Sequence, residues 1–155
     1  MPYRISKTFR VENAHMLLKH PEKCKFPHGH SRKVEVILNA DQLDAADMVC
    51  DFKAVKLAVG AFIDSFDHAI CVNSRDPFLP ALRSQEGARV IVFNDTDPTT
   101  EVMARHIFEF IATTLKSDAT YSNPGTRASY SVGKHVKLER VRVWETVDSW
   151  AEYFE

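Results

Sequence analysis

The sequence is poor in cysteine, and its three cysteines do not form a framework. Cys24, Cys50 and Cys71 are an odd, widely spaced set without a Cys-x-x-Cys pair among 155 residues. This usage excludes the disulfide scaffold of a small secreted domain, and free thiols are expected. Cys50 and Cys71 lie beside apolar residues, which predicts that they are small buried hydrophobic side chains.

The sequence also lacks any long apolar run and any excess of one charge. No run approaches the roughly 20 residues of a membrane span, and the first residues lack the apolar core of a signal peptide. The 20 basic and 21 acidic side chains give a formal net charge of −1. This balance removes a general attraction to nucleic acid or to an anionic membrane. We therefore expect a cytoplasmic protein with neither nucleic acid nor membrane as its main partner.

A Gly-rich loop between a strand and a helix is absent, as is any internal repeat. Strands are predicted over residues 5–14, 31–39, 88–93 and 135–146. One helix is predicted to begin after Asp51, and a second to begin near Asp97 and to run to about Leu115. This order favours a single α+β domain over residues 1–155 and not a Rossmann-like fold.

Each predicted helix has one apolar face that is expected to pack on the sheet. The predicted buried positions are Phe52, Val55, Val59, Phe62, Ile63 and Phe66 in the first helix, and Met103, Ile107, Phe110 and Ile111 in the second. Residues 74–87 and 116–134 are expected to be loops. The apolar positions of the last strand change parity near Glu139 and Arg140, which indicates a bulge or burial on both faces.

Three histidines predict a zinc site. His28 and His30 lie two residues apart on an extended chain, so both can point at one ion, and Gly29 between them allows close backbone approach. His15, on the preceding strand, completes the set. Three neutral imidazoles leave one tetrahedral position open, as in catalytic zinc sites. The alternative is that His15 is a buried core histidine whose ring is bonded to a carbonyl group.

Other reactive groups flank these histidines in the sequence. Cys24 stands between two lysines, and these surroundings favour a thiolate over an inert structural thiol. Asp67 and His68 follow the first helix, where they are either an acid/base pair or a helix cap. Glu145 shares parity with the apolar residues of the last strand. Its carboxylate therefore needs either a ligand rich in N–H donors or an arginine partner.

These residues together resemble the 6-pyruvoyl-tetrahydropterin synthase family, which includes the 6-carboxy-tetrahydropterin synthases of queuosine biosynthesis. The Asp51-Phe52 helix start and the Pro98-Thr99-Thr100-Glu101 motif contribute to the resemblance. It implies the tunnelling fold, an antiparallel sheet with two helices on one face, in which subunits join their sheets into a barrel. Such proteins are commonly homo-oligomers, built as a hexameric dimer of trimers with active sites between subunits.

The resemblance also implies a role for each site residue. His15, His28 and His30 would bind Zn²⁺, and Cys24 would be the proton-transferring thiolate. Asp67 with His68 would be the partner acid/base pair. Substrate binding would involve Glu145, which anchors the pterin, together with Thr99, Thr100 and Glu101, which line the pterin end of the pocket.

The implied activity is a zinc-dependent lyase that converts 7,8-dihydroneopterin triphosphate to 6-carboxy-5,6,7,8-tetrahydropterin, acetaldehyde and triphosphate. The three residues between Cys24 and His28 and the Pro-Thr-Thr-Glu-Val motif favour this branch. Alternatives are a 6-pyruvoyl synthase that releases triphosphate only, a non-catalytic pterin-binding zinc protein, and a structural zinc protein with Cys24 as fourth ligand. The Ser31-Arg32-Lys33 segment replaces the aromatic or amide side chain often found after His-Gly-His.

Overall fold

The computed structural model describes residues 2–155 and contains eight strands and three α-helices within them. The strands are β1 (Tyr3–His15), β2 (His28–Ala40), β3 (Ala69–Asn73), β4 (Arg89–Phe93), β5 (Thr120–Ser122), β6 (Ser129–Ser131), β7 (Lys137–Trp144) and β8 (Trp150–Phe154). The helices are α1 (Phe52–Asp64), α2 (Leu79–Arg83) and α3 (Thr100–Lys116), with a 3₁₀ turn at Lys23–Lys25. None of the helices in this part of the chain is long and apolar enough to cross a membrane.

Six strands form one sheet in the order β4-β3-β1-β2-β7-β8, and β5 pairs with β6 separately. β1 and β2 pair antiparallel along the whole 13-residue length of β1. β3 runs parallel to both β1 and β4, so the sheet is mixed and not wholly antiparallel as expected. Consecutive parallel strands require a long connection, and the segment containing α2 supplies it between β3 and β4.

The hydrophobic core lies between one face of this sheet and the two long helices. Val34, Val36 and Leu38 alternate along β2 and are buried in one cluster with residues of α1 and α3. In the pairing of β2 with β7, Ile37 lies opposite Arg140 and Leu38 opposite Leu138. One extra residue, Glu139, therefore forms the bulge that the parity change predicts.

The two long helices begin at capping side chains. The Asp51 carboxylate accepts a hydrogen bond from the Lys53 amide, as predicted. The second helix begins three residues later than expected from Asp97, because the Thr99 hydroxyl accepts from the Val102 amide. The predicted apolar faces are largely buried. The exceptions are Phe52 and Phe110, which are 49% and 38% exposed, at helix positions that do not reach the core.

Three short elements were not predicted. β3 follows His68 directly, α2 lies within the predicted 74–87 loop, and β8 follows the last predicted strand. Each has only five residues, too few to show a clear period. The predicted 116–134 loop contains the small β5–β6 hairpin.

Asp97 connects three parts of the chain that are distant in sequence. Its buried carboxylate accepts hydrogen bonds from the backbone amides of Leu18 and Lys19, at 3.0 and 2.8 Å, and from the Asn73 side chain at 3.0 Å. The segment between β1 and the 3₁₀ turn is thereby held against the start of α3. This contact positions Cys24, which lies in the 3₁₀ turn.

We expect Asp97→Asn to lower the free energy of unfolding by about 1–3 kcal/mol, because an amide nitrogen would then face a buried donor. Chemical denaturation of the two proteins measures the difference. Asp64→Asn, which changes an exposed carboxylate at the end of α1, is the matched control and should shift stability by less than about 0.5 kcal/mol. Equal effects of the two substitutions would contradict the anchoring role of Asp97.

Candidate metal centre

The register of β1 and β2 brings the three predicted histidines together. His15 lies opposite His28 in the ladder, and His30 lies opposite Asn13 on the same face. The ring centroids are 4.5 Å apart for His15 and His28, and 5.1 Å apart for each of the other two pairs. One nitrogen from each ring lies within 4.8 Å of the others, so the three could hold one metal ion. Within residues 2–155 this cluster does not include Cys24.

Hydrogen bonds fix which nitrogen two of these rings present. His15 Nδ1 lies 2.8 Å from the Pro98 carbonyl oxygen, and His28 Nδ1 lies 2.8 Å from that of Phe26. A carbonyl oxygen only accepts, so Nδ1 carries the proton in both rings and Nε2 keeps its lone pair. The hydrogen bond to a carbonyl group that the core-histidine alternative expects for His15 is thus present. The same bond orients the ring as in metal sites.

The Nε2 atoms of His15 and His30 have the surroundings expected of metal ligands. In the described chain, Nε2 of His15 and of His30 are buried without a hydrogen-bond partner. Glu145 Oε1 lies 3.4 Å from each of them, close to the spacing of about 3.4 Å that two ligands have on one tetrahedral zinc ion. Lone pairs and a carboxylate repel one another unless a cation lies between them. The donor set therefore fits a divalent metal.

Burial keeps these imidazoles neutral. His15 is fully buried, and desolvation lowers its pKa from 6.5 to about 4, although the Pro98 hydrogen bond acts in the opposite direction. Burial also lowers the pKa of His30, and the nearby Arg32 guanidinium adds to the effect. Neutral imidazole is the form that binds metals, so the environment favours ligation at neutral pH.

A cavity of about 300 Å³ opens beside this cluster. Its lining includes six of the predicted site residues, namely His15, Cys24, Thr99, Thr100, Glu101 and Glu145. Cys24 is a free, half-buried thiol. Among residues 2–155, Glu145 lies 3.4 Å from the two imidazoles and makes no ion pair with an arginine, so the arginine-partner alternative does not describe it.

Several residues of the cavity were not predicted from the sequence, and two of them carry polar ring nitrogens. His20 and Trp150 also line it. His20 accepts a hydrogen bond from the Glu22 amide on Nδ1, which leaves its Nε2 to carry the proton in a neutral ring. The position of His20 four residues before Cys24 was a usable signal. Trp150 gave no signal, because it lies on the unpredicted strand β8.

Asp67 and His68 form a close pair. Asp67 Oδ2 lies 2.8 Å from His68 Nδ1, and Asp67 Oδ1 accepts from the Glu12 amide at 2.7 Å. That backbone bond, followed by the bond to His68, lowers the pKa of the Asp67 carboxyl group. His68 has a φ of 53°, which makes the turn that contact between adjacent side chains requires.

His68 of this pair and Cys24 line different cavities of the chain. His68 lines a separate cavity of about 520 Å³, together with Glu12, Ser31 and Arg89, and this cavity shares no lining residue with the one that contains Cys24. The structure thus collects the predicted residues into two groups. His15 and Cys24 line one cavity with the predicted substrate-binding residues, whereas His30 of the histidine cluster lines the other cavity with His68.

Comparison with known proteins gives consistent results. The chain is 32% identical to the 6-carboxy-5,6,7,8-tetrahydropterin synthase of Aquifex aeolicus, over 100% of this chain and 99% of that protein. It is 30% identical to the Haemophilus influenzae protein of the same name, over 99% of each.

Solved structures share the fold at lower identity. An uncharacterized protein from Wolinella succinogenes matches with a TM-score of 0.75 at 22% identity, over 99% of this chain and 98% of that one. The 6-pyruvoyl tetrahydropterin synthase of Caenorhabditis elegans matches with a TM-score of 0.63 at 20% identity, over 99% and 95%. These likenesses establish the tunnelling fold predicted from the sequence.

The family model described as 6-pyruvoyl tetrahydropterin synthase matches residues 4–155. This range covers the histidine cluster, both cavities and every strand of the main sheet except the first residue of β1. The chain belongs to the 6-pyruvoyl tetrahydropterin synthase family.

Proposed function

We propose that this chain is a zinc-dependent lyase that converts 7,8-dihydroneopterin triphosphate to 6-carboxy-5,6,7,8-tetrahydropterin, acetaldehyde and triphosphate. Relatives at 32% and 30% identity over nearly the whole chain are named 6-carboxy-5,6,7,8-tetrahydropterin synthases. The observation that carries the proposal is the convergence of three imidazole nitrogens beside a cavity lined by Cys24 and Glu145.

The three histidines would hold the metal. Three neutral nitrogen ligands with an open position are typical of catalytic zinc. Bound there, Zn²⁺ would act as a Lewis acid toward the vicinal hydroxyls of the substrate side chain. The Pro98 and Phe26 carbonyls keep the ligand rings of His15 and His28 in the required tautomer.

Cys24 would remove the carbon-bound proton of the side chain. The thiol lines the same cavity as His15 and lies between Lys23 and Lys25 in the 3₁₀ turn. The thiolate is the basic form of this side chain. The bonds from Asp97 to the preceding segment hold this turn in place.

Glu145 would anchor the pterin ring, whose N–H donors suit a carboxylate acceptor. Thr99, Thr100 and Glu101, which line the same cavity, would form its pterin end. The Thr99 hydroxyl accepts from the Val102 amide as the cap of α3, so its own proton remains free to be donated to a ligand.

His68, oriented by Asp67, would return a proton to the substrate in the active site of a neighbouring subunit. The two separate cavities support this assignment, because His68 and Cys24 line different cavities of one chain. β4 and β8 are the edge strands of the sheet, and unpaired edges favour assembly with further copies. A homo-oligomer, built as a hexameric dimer of trimers, is the arrangement that we propose.

The first test is to incubate the purified protein with 7,8-dihydroneopterin triphosphate and to measure triphosphate and acetaldehyde separately. Release of both is expected, whereas triphosphate alone would indicate the 6-pyruvoyl reaction and neither product would indicate a pterin-binding protein. Cys24→Ala should lose at least about 100-fold in turnover, as expected for removal of a general base, while its zinc content stays unchanged. The matched control is Cys50→Ala, which changes a buried thiol outside the cavity and should retain turnover.

The second test asks whether active sites are shared between subunits. Cys24→Ala and His68→Ala should each be inactive alone, and co-assembly in equal amounts should restore activity to about one quarter of wild type, because that fraction of interfaces receives both intact residues. Mixing Cys24→Ala with Cys24→Ser is the control and should restore nothing. Absence of recovery in verified mixed oligomers would refute the shared site.

The third test uses the low pKa of His15. Because its folded value is about 4 and its ordinary value is 6.5, the unfolded chain gains a proton first as the pH falls. Stability is therefore full above about pH 6.5 and is lost progressively toward pH 4. For the metal-free protein this loss should reach about 2 kcal/mol between pH 6.5 and 5.

Urea denaturation in the presence of a chelator measures this loss. His15→Asn keeps a side-chain donor for the Pro98 carbonyl but does not titrate, so the difference between the two proteins isolates His15 from the carboxylates. The variant should lose about 2 kcal/mol less over the same interval. Parallel stability curves for wild type and variant would show that His15 does not carry the effect.

A further inference from the structure

Arg32 is an unusual residue at the centre of the fold. It lies on β2, two residues after His30, and is only 1% exposed. Arginine is rarely fully buried without an ion-pair partner, because desolvation of the charge is costly. Yet no carboxylate of residues 2–155 makes an ion pair with its guanidinium within 4.0 Å. This position therefore requires another explanation than a conventional buried salt bridge.

The guanidinium connects the metal centre to the substrate cavity. Arg32 Nε donates to Asn13 Oδ1 at 3.1 Å, and Nη1 donates to Thr100 Oγ1 at 3.2 Å. Nη2 lies 3.2 Å from His15 Nδ1, but the proton of that nitrogen is already donated to Pro98. Nη2 therefore finds no free lone pair on His15 Nδ1, and the positive charge of the guanidinium lies close to the histidine cluster.

The bond to Thr100 determines what that hydroxyl can do. Thr100 lines the cavity that contains Cys24 and Glu145. A guanidinium has only donors, so Thr100 Oγ1 must accept from Arg32. The hydroxyl proton is then available for an acceptor in the cavity, where a ring carbonyl or an unprotonated ring nitrogen of a pterin would provide one. The charge of Arg32 strengthens this donor, because hydrogen bonds in a chain polarise one another.

We propose that Arg32 is a positioning residue that holds the Thr100 hydroxyl as a hydrogen-bond donor to an acceptor atom of the pterin ring. The proposal rests on the proposed function and deepens it, since it names a residue through which the cavity recognises the ring. Arg32 acts through Thr100 and does not touch the substrate itself. It also explains why a charge is buried at this position: the planar fork reaches Asn13 and Thr100 together, which a lysine would not do.

A double-mutant cycle tests the proposal. The probe is neopterin, an unreactive oxidised pterin, and the readout is its dissociation constant from the zinc-loaded protein, followed by pterin fluorescence. The variants are Arg32→Met, which is neutral and of similar length, Thr100→Val, which removes the hydroxyl, and the two combined. Each single change should weaken binding by about tenfold, the loss of one hydrogen bond.

The double variant decides the outcome. If Arg32 acts through Thr100, the combined changes should weaken binding by about tenfold, no more than either one alone. A loss of about 100-fold would mean independent effects and would overturn the proposal. Neopterin binding by Arg32→Met that equals that of wild type, or no neopterin binding by wild type at all, would also overturn it. If Arg32 had only a structural role, Arg32→Met would change the thermal transition temperature, but its effect on neopterin binding would not be coupled to that of Thr100→Val.

Two controls accompany the cycle. Thr113→Val changes an exposed threonine of the same helix, and it should leave neopterin binding unchanged with either residue at position 32. If Arg32→Met does not fold, the cycle is run with Arg32→Lys, whose single ammonium cannot hold both partners, and the same two outcomes apply. If the wild-type protein binds neopterin but forms no product, the proposed reaction is overturned. The coupling between Arg32 and Thr100 can still be measured in that case.

Discussion

The antiparallel pairing of β1 with β2 is the constraint on which the site depends. It places His15 opposite His28 and directs both histidines of the His28-Gly29-His30 segment to the face that buries Val34 and Val36. A slip of one residue would turn all side chains of one strand to the other face. Burial of the aliphatic residues therefore fixes the same register that assembles the imidazoles, and no separate interaction is needed to bring the two strands' ligands together.

The surroundings of the cluster are arranged for a cation while the protein itself supplies positive charge behind it. Backbone carbonyls fix two rings so that lone pairs converge, and the Glu145 carboxylate approaches two of them at 3.4 Å. Arg32 lies on the buried side and disfavours protonation of His15 and His30. Proton binding, the usual competitor of metal binding, is thus opposed by burial, whereas a divalent ion gains the lone pairs of three imidazoles at once.

The sequence was informative wherever a local pattern determines the structure. Alternation predicted β1 and β2, the Asp51 cap predicted α1, and the spacing of three histidines predicted their convergence. Contacts between remote segments were not predictable. The sequence does not distinguish a carboxylate before proline that starts a helix from one that, like Asp97, accepts hydrogen bonds from the backbone amides of a distant loop. Helical periodicity likewise predicts which face of a helix is apolar but not which residues of that face reach the core. For this reason Phe52 and Phe110 were wrongly placed in the core.

In the proposed reaction, activity depends on assembly of copies of the chain, because His68 and Cys24 line separate cavities. The geometry of Asp67 and His68 is more constrained than a helix cap requires, since it combines a φ of 53° with three hydrogen bonds to Glu12 and within the pair. A non-glycine residue held in this region of backbone space is unfavourable unless its surroundings fix it. In the proposed reaction this pair is the acid/base partner of Cys24, which lines a different cavity in the same chain. The proposed reaction would therefore require association of copies, so that the Asp67–His68 pair of one chain meets Cys24 of another.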